Sequence, residues 1–157
     1  MSSLDEYKNK RNFNKTSEPE GYEGKKNNSN QSESFDGRFV VQEHHASRLH
    51  WDFRLEMEGT LKSWAVPKGP PLVKGIRRLA VEVEDHPLDY INFEGVIPKG
   101  NYGAGTVSLW DQGYYKLVEK KPKKLVLVLL GDKLKGGYVL VKTKDNQWLM
   151  IKMYEPE

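Results

Sequence analysis

Between residues 50 and 56, His50, Asp52, Arg54 and Glu56 occupy every second position, and Trp51, Phe53 and Leu55 fill the gaps. Strict alternation of this kind marks a half-buried β-strand, whose successive side chains point to opposite faces. An imidazole, a carboxylate and a guanidinium then share one face. His50-x-Asp52 offers two metal-ligand atoms there, and His44 or His45 can return from the preceding strand across Ala46-Ser47-Arg48. Two imidazoles and a carboxylate leave coordination positions open and suit Mn²⁺, Fe²⁺, Co²⁺ or Zn²⁺. Adjacent strand residues face opposite ways, so His44 and His45 cannot both serve one ion; parity with Gln42 favours His44.

A second alternating run, RLAVEVEDH (78–86), has Leu79, Val81 and Val83 apolar, with Arg78, Glu82, Glu84 and His86 at the opposite parity. All four histidines fall on or beside these two strands. Arg54, Lys68 and Arg78 are expected on or near the same face. A metal surrounded by Arg and Lys matches a phosphate ester, because the ion polarises one oxygen while the cations hold the others. Surface ion pairs with Glu82 and Glu84 are the plainer account of those charges. Gly95, Gly100, Gly103 and Gly105 fit neither the P-loop nor the dinucleotide pattern and read as turn residues. Trp51, Trp64 and Trp148 are assigned to the core.

The elements that must position these groups are short strands. RFVVQEH (38–44), LHWDFRLEM (49–57), LKSWAV (61–66), RLAVEVED (78–85), GTVSLWD (105–111), GYYKLV (113–118), KLVLVLL (124–130), YVLVKT (138–143) and QWLMIKM (147–153) are β-like and separated by turn signals such as Glu58-Gly59 and Asp145-Asn146. No segment sustains a helical apolar period. The fold class is therefore all-β, with a closed or nearly closed barrel preferred over a sandwich because closure removes exposed edges. KLVLVLL, apolar on both faces, is predicted to be a central strand.

Residues 1–37 are expected to form a flexible N-terminal arm and linker, and residues 38–157 the barrel domain. From Asn14 to Ser34 only Tyr22 is aromatic, too little to offset chain entropy. With 157 residues, 37% of them hydrophobic, the chain supports one domain with a modest core. The absence of cysteine excludes disulfides and thiolate metal ligands. The first fifteen residues lack the apolar run of a signal peptide, and no segment approaches a membrane span, so a cytoplasmic protein is expected. The arm carries 6 Lys/Arg against 7 Asp/Glu and the remainder 19 against 15, a mild lean toward polyanionic partners.

VVQEHHASRLHWDFRLEMEGTLKSWAVPKGPP and RRLAVEVEDHPLDYINFEGVIPKGNYGAGTVSLWDQG together resemble the 3′-phosphoesterase module of bacterial ligase D and its free-standing bacterial and archaeal relatives. The resemblance runs from about Phe39 to the C-terminus. It implies a compact barrel with a groove and a Mn²⁺-dependent activity, Co²⁺ or Zn²⁺ being alternative ions. The implied reaction heals 3′ ends of DNA or RNA–DNA strands in two steps. A phosphodiesterase step removes a terminal ribonucleoside, and a phosphomonoesterase step removes the 3′-phosphate before ligation.

By the same resemblance, the metal ligands are His44, His50 and Asp52. Arg54, Lys68, Arg78 and His86 contact the scissile phosphate, with Gln42, Glu84 and Tyr90 in support and His45 peripheral. Relatives carry a basic arm, matched here by KRNFNKTSEP, which keeps Arg11 and Glu18 but has Asn12 where aspartate is usual. An amide cannot supply that charge. The expected partners are nucleic-acid 3′ ends and a separate DNA ligase, for a monomer in a prokaryotic cytoplasm. Two other readings stand beside this one: a degenerate end-binding subunit of a ligase complex, and a non-haem iron oxygenase built on a facial His, His, Asp set.

Overall fold

The computed structural model describes residues 4–11, Glu18 and residues 35–155. The linker assigned to 14–34 lies outside the described residues except for Glu18, and Asn12 lies outside them altogether. A one-turn helix α1 (Asp5–Asn9) precedes strands β1 (Gly37–His45), β2 (Leu49–Met57), β3 (Thr60–Val66) and β4 (Arg77–His86). A 3₁₀ helix (Leu88–Asn92) and β5 (Gly95–Ile97) follow, then β6 (Gly105–Lys121), β7 (Lys124–Gly131), β8 (Lys135–Lys144) and β9 (Gln147–Tyr154).

Every strand pairing is antiparallel, in the order β1-β2-β3-β4-β9-β8-β7-β6, and a β1–β6 ladder closes the sheet into an eight-stranded barrel, with β5 added outside on β6. Tight hairpins set the register. At the β2–β3 turn both Glu58 (φ 54°) and Gly59 (φ 85°) are left-handed, the backbone twist that a two-residue hairpin favours. No helix among the described residues is long and apolar enough to cross a membrane.

Alternate residues of β1, β2 and β3 fill the barrel: Phe39, Val41, Phe53, Leu55, Trp64 and Val66 meet Leu125, Leu127 and Leu129 of β7 in one core. The opposite face of the same wall carries a second, smaller cluster. Val40, Leu61 and Val107 meet Tyr7, Tyr90, Ile91, Phe93 and Ile97 there. This cluster lays the 3₁₀ helix, β5 and the described part of the arm across the outside of the barrel, which turns an outward sheet face into the floor of a cleft.

Three sequence expectations are corrected. GTVSLWD and GYYKLV are one strand, β6. Its ladder with β1 runs through residues 106–115 with Trp110 as the extra residue of a bulge, so the pairing shifts from Val41–Asp111 to Gln42–Leu109 without ending. β7 is flanked by β6 and β8 but buried on one face only: Val126 and Val128 are half-buried and Leu130 exposed, because its outer side has no covering layer. In β4 the parity argument fails midway. Two steps along β3, Leu61 to Ser63, face three along β4, His86 to Val83. This bulge puts Glu84 and His86 on the outer face with Val83, while Arg78 keeps the parity of Ala80, whose pairing with Trp148 and the core is inward.

Candidate active site

The β1–β2 register sets His44 directly opposite His50 and Gln42 opposite Asp52. The outward residues of the two strands therefore form a compact polar block. His44 Nδ1 lies 3.6 Å and His50 Nε2 3.3 Å from the same oxygen, Asp52 Oδ2. Ligand atoms of the three residues all fall within 4.8 Å of one another. A first-row ion about 2.0–2.2 Å from each donor needs donors roughly 3 Å apart, so small side-chain adjustments are enough.

The outer hydrogen bonds settle which nitrogen of each ring points inward. His44 Nε2 donates to the Gly103 carbonyl at 2.7 Å, leaving Nδ1 to face Asp52. His50 Nδ1 donates to the Arg48 carbonyl at 3.0 Å, leaving Nε2. Backbone carbonyls that fix the tautomer in this way are the usual support of metal-binding imidazoles. His45, on the other parity, pairs with Glu43 at the surface. The donor set therefore fits a divalent cation.

Arg54 is buried beside the triad. Its Nε donates to Gln42 Oε1 at 2.6 Å, one terminal nitrogen donates to Ser63 Oγ at 2.9 Å, and the other lies 3.5 Å from Asp52 Oδ2. A guanidinium has five N–H donors, so N–H groups remain for a ligand. Burial alone would raise the Asp52 carboxyl, but Arg54 and the hydrogen bonds of His44 and His50 hold it well below the usual range. His50 shows the converse: burial opposes its charged form, and the bond and charge of Asp52 outweigh that and raise it.

The opposite wall comes from β4, the 3₁₀ helix and the arm. Arg11 donates to Glu18 at 3.0 Å, to Glu84 at 3.2 Å and to His86 Nε2 at 3.2 Å, and its guanidinium lies 3.9 Å over the Tyr7 ring. Tyr90 donates its hydroxyl to Glu18 at 2.8 Å. His86 Nδ1 donates to the Glu84 carbonyl at 3.0 Å. Burial first, then the Arg54 and Arg11 charges, depress His86 well below its ordinary value, so the ring is neutral with its Nε2 lone pair accepting.

Of the residues singled out from sequence, Arg11, Glu18, His44, His50, Asp52, Arg54, Glu84, His86 and Tyr90 line one cleft of about 310 Å³. Gln42 sits beneath it, tied to Arg54 and to the Tyr90 and Phe93 carbonyls. Lys68 and Arg78 are not brought into the lining; Arg78 donates to the Lys68 carbonyl at 2.6 Å near the surface. Glu56, last of the alternating row, pairs with Arg38 instead. Sequence reasoning missed Tyr7 and Ser63. Ser63 stands opposite Arg54 in the β2–β3 ladder, a pairing the hairpin length implies. Tyr7 lay in a segment too short to show periodicity.

Residues 42–142 match the family model of the DNA ligase D 3′-phosphoesterase domain. The chain belongs to that family. It is 48% identical over 164 residues to the multifunctional non-homologous end joining protein LigD of Pseudomonas aeruginosa, covering 98% of this chain and 19% of the relative. The protein of the same name from Mycolicibacterium smegmatis is 42% identical over 161 residues, 96% of this chain and 20% of the relative. The Mycobacterium tuberculosis LigD is 47% identical over 115 residues, 71% of this chain and 15% of the relative. The chain thus spans about a fifth of the length of the first two relatives.

Proposed function

We propose that the chain is a metal-dependent hydrolase that processes 3′ ends in DNA repair, with Mn²⁺ as its ion. It first removes a 3′-terminal ribonucleoside and then the 3′-phosphate. The observation that carries this reading is the convergence of His44, His50 and Arg54 on one carboxylate oxygen of Asp52, with each imidazole held through its outer nitrogen by a backbone carbonyl and turning its inner nitrogen to that oxygen. An ion held by those three ligands supplies Lewis acidity toward a phosphate oxygen.

Charge balance supports an anionic substrate only once a cation is present. Counting the imidazoles as neutral, the form in which they would hold a metal, the lining has Arg11 and Arg54 against Glu18, Asp52 and Glu84, a net of −1. A divalent ion makes it +1. Arg54, held by Gln42 and Ser63, offers its remaining N–H groups to phosphate oxygens without losing further side-chain entropy. The Arg11 guanidinium, held over Tyr7 and against Glu84 and Glu18, flanks the other side. The neutral His86 ring, with Nε2 accepting from Arg11, suits holding that guanidinium in the cleft better than donating a proton to a leaving group.

In the diester step a water oxygen bonds to phosphorus, the bond to the departing nucleoside's 5′ oxygen breaks, and that oxygen takes up a proton. In the monoester step water displaces the strand's 3′ oxygen in the same way. Lys68 and Arg78, near the surface, are proposed to contact the strand's phosphates rather than the reacting one. We infer further that the ends it heals are then sealed by a DNA ligase.

The test is a 5′-labelled primer ending in one ribonucleotide on a DNA template, incubated with Mn²⁺ and resolved by length and end group. The expected products are a strand shortened by one nucleoside with a 3′-phosphate, then the same strand with a 3′-hydroxyl. Tight end binding without hydrolysis would favour the degenerate subunit, and turnover requiring iron and oxygen would favour the oxygenase.

A further inference from the structure

Tyr102 forms part of the cleft that the proposed reaction leaves unused. Two tyrosines are among the described residues of the lining, and they differ sharply: Tyr90 is 2% exposed with its hydroxyl bound to Glu18, whereas Tyr102 is 47% exposed. An aromatic side chain kept half in water on a floppy loop would need no explanation. This loop is tightly tied. The Asn101 N–H donates to the Pro98 carbonyl at 3.2 Å, the Asn101 side-chain amide donates to the same carbonyl at 3.1 Å, and the Ala104 N–H donates to the Asn101 carbonyl at 3.1 Å. Gly100 (φ 88°) and Gly103 (φ 76°) make the two left-handed turns on either side of the ring.

The ring's position is equally specific. Its neighbour Gly103 supplies the carbonyl that holds His44, so Tyr102 stands one residue from the metal side of the cleft. From the arm side, Lys10 Nζ donates to the Tyr102 hydroxyl at 3.3 Å and lies 4.7 Å from the ring centroid, and the Arg11 guanidinium lies 5.3 Å from it. Tyr7 also seats Arg11 but differs: its contact is closer, 3.9 Å, and it is not exposed at all, its ring packing against His86 and Tyr90. Tyr102 keeps an open surface beside the phosphate-binding groups, in a cleft at the small end of the range for ligand pockets, with room for one nucleotide rather than a duplex.

We propose that Tyr102 is the stacking platform for the base of the 3′-terminal nucleoside, the group released in the diester step. The proposal rests on the function given above. Stacking on an aromatic face is indifferent to base identity, as end processing requires. Lys10 and Arg11 against the same ring add a cationic border for the nucleotide's phosphate.

Single-turnover assays on the full chain would compare Tyr102→Ala and Tyr102→Phe on three primers: one ending in a normal ribonucleotide, one ending in an abasic ribose, and one ending in 3′-phosphate. Tyr102→Ala is expected to slow removal of the normal nucleoside roughly ten- to a hundredfold, with changes of about twofold or less on the other two primers, and Tyr102→Phe to stay near wild type. In a separate binding measurement with Ca²⁺ in place of Mn²⁺, a terminal 2-aminopurine riboside should be quenched on binding wild type or Tyr102→Phe but not Tyr102→Ala. Equal losses on all three primers would overturn the proposal and show that the ring merely seats Lys10 and Arg11. Unchanged rates and quenching in Tyr102→Ala would overturn it as well. If wild type removes no terminal nucleoside while still quenching 2-aminopurine, the proposed function fails and base stacking stands.

Discussion

The two faces of β2 share one backbone ladder and do opposite work. Phe53 and Leu55 point into the barrel and are fully buried among aliphatic and aromatic side chains. Asp52 and Arg54, one residue away, are nearly as buried, yet each is held by hydrogen bonds and charges from other elements. Burial of the first pair favours folding directly. Burial of the second costs desolvation that mutual pairing only offsets. The inner face should therefore carry stability and the outer face chemistry, and exchanging neighbours along the strand should exchange the defect.

The largest expected effect is at Asp52. Asp52→Asn keeps the volume but not the charge at the atom both imidazoles approach, so Mn²⁺ binding by titration and Mn²⁺-dependent turnover should both fall below detection. Phe53→Ala should do the reverse, costing about 3–5 kcal/mol of stability and lowering the melting temperature by roughly 10 °C, while metal affinity in the folded protein is retained. If Phe53→Ala loses the metal and Asp52→Asn only melts earlier, the two faces are misassigned.

Arg54→Ala sharpens the comparison within the outer face. It should keep Mn²⁺ and lose about two to three decades of turnover, the usual effect of removing one charge-assisted contact in a dry site, about 2–4 kcal/mol. Lost Mn²⁺ binding would mean that Arg54 chiefly holds Asp52 in place. Gly103→Ala is a milder lesion. The added methyl meets His44 Cε1 at an ordinary 3.5 Å, but alanine is strained at φ 76°, so the carbonyl that orients His44 should shift. A loss of about tenfold in Mn²⁺ affinity, at the low end for such supporting contacts, is expected from titration. His45→Ala should change neither affinity nor rate by more than about twofold, since its side chain is on the solvent parity and, among the described residues, pairs with Glu43 alone.

Where strands were regular, the sequence was readable. The His50, Asp52 and Arg54 row and its placement opposite His44 follow from unbroken alternation and a short turn, and the structure has that register. Bulges were not readable. An extra residue in β4 reverses parity between Glu82 and Glu84, so Arg78 could not be sorted from His86 by counting. The extra residue at Trp110 likewise disguised one strand as two. Contacts across long stretches of chain were also hidden: nothing local to Arg11 or Glu18 says that they meet Glu84 and Tyr90, and only the family resemblance placed them in the site. Tyr7 anchors that arm with no periodic signal, because one helical turn is too short to carry one.

The central claim is that His44, His50 and Asp52 hold a divalent ion through nitrogens chosen by the Gly103 and Arg48 carbonyls. Anomalous diffraction at the manganese edge, from crystals grown with Mn²⁺, tests it most directly. The expected result is one strong peak bonded to His44 Nδ1, His50 Nε2 and Asp52 Oδ2 and bordered by Arg54. A peak bonded to His45, to His86 or to Glu84 in place of this triad would contradict it, as would saturating Mn²⁺ with no peak in the cleft.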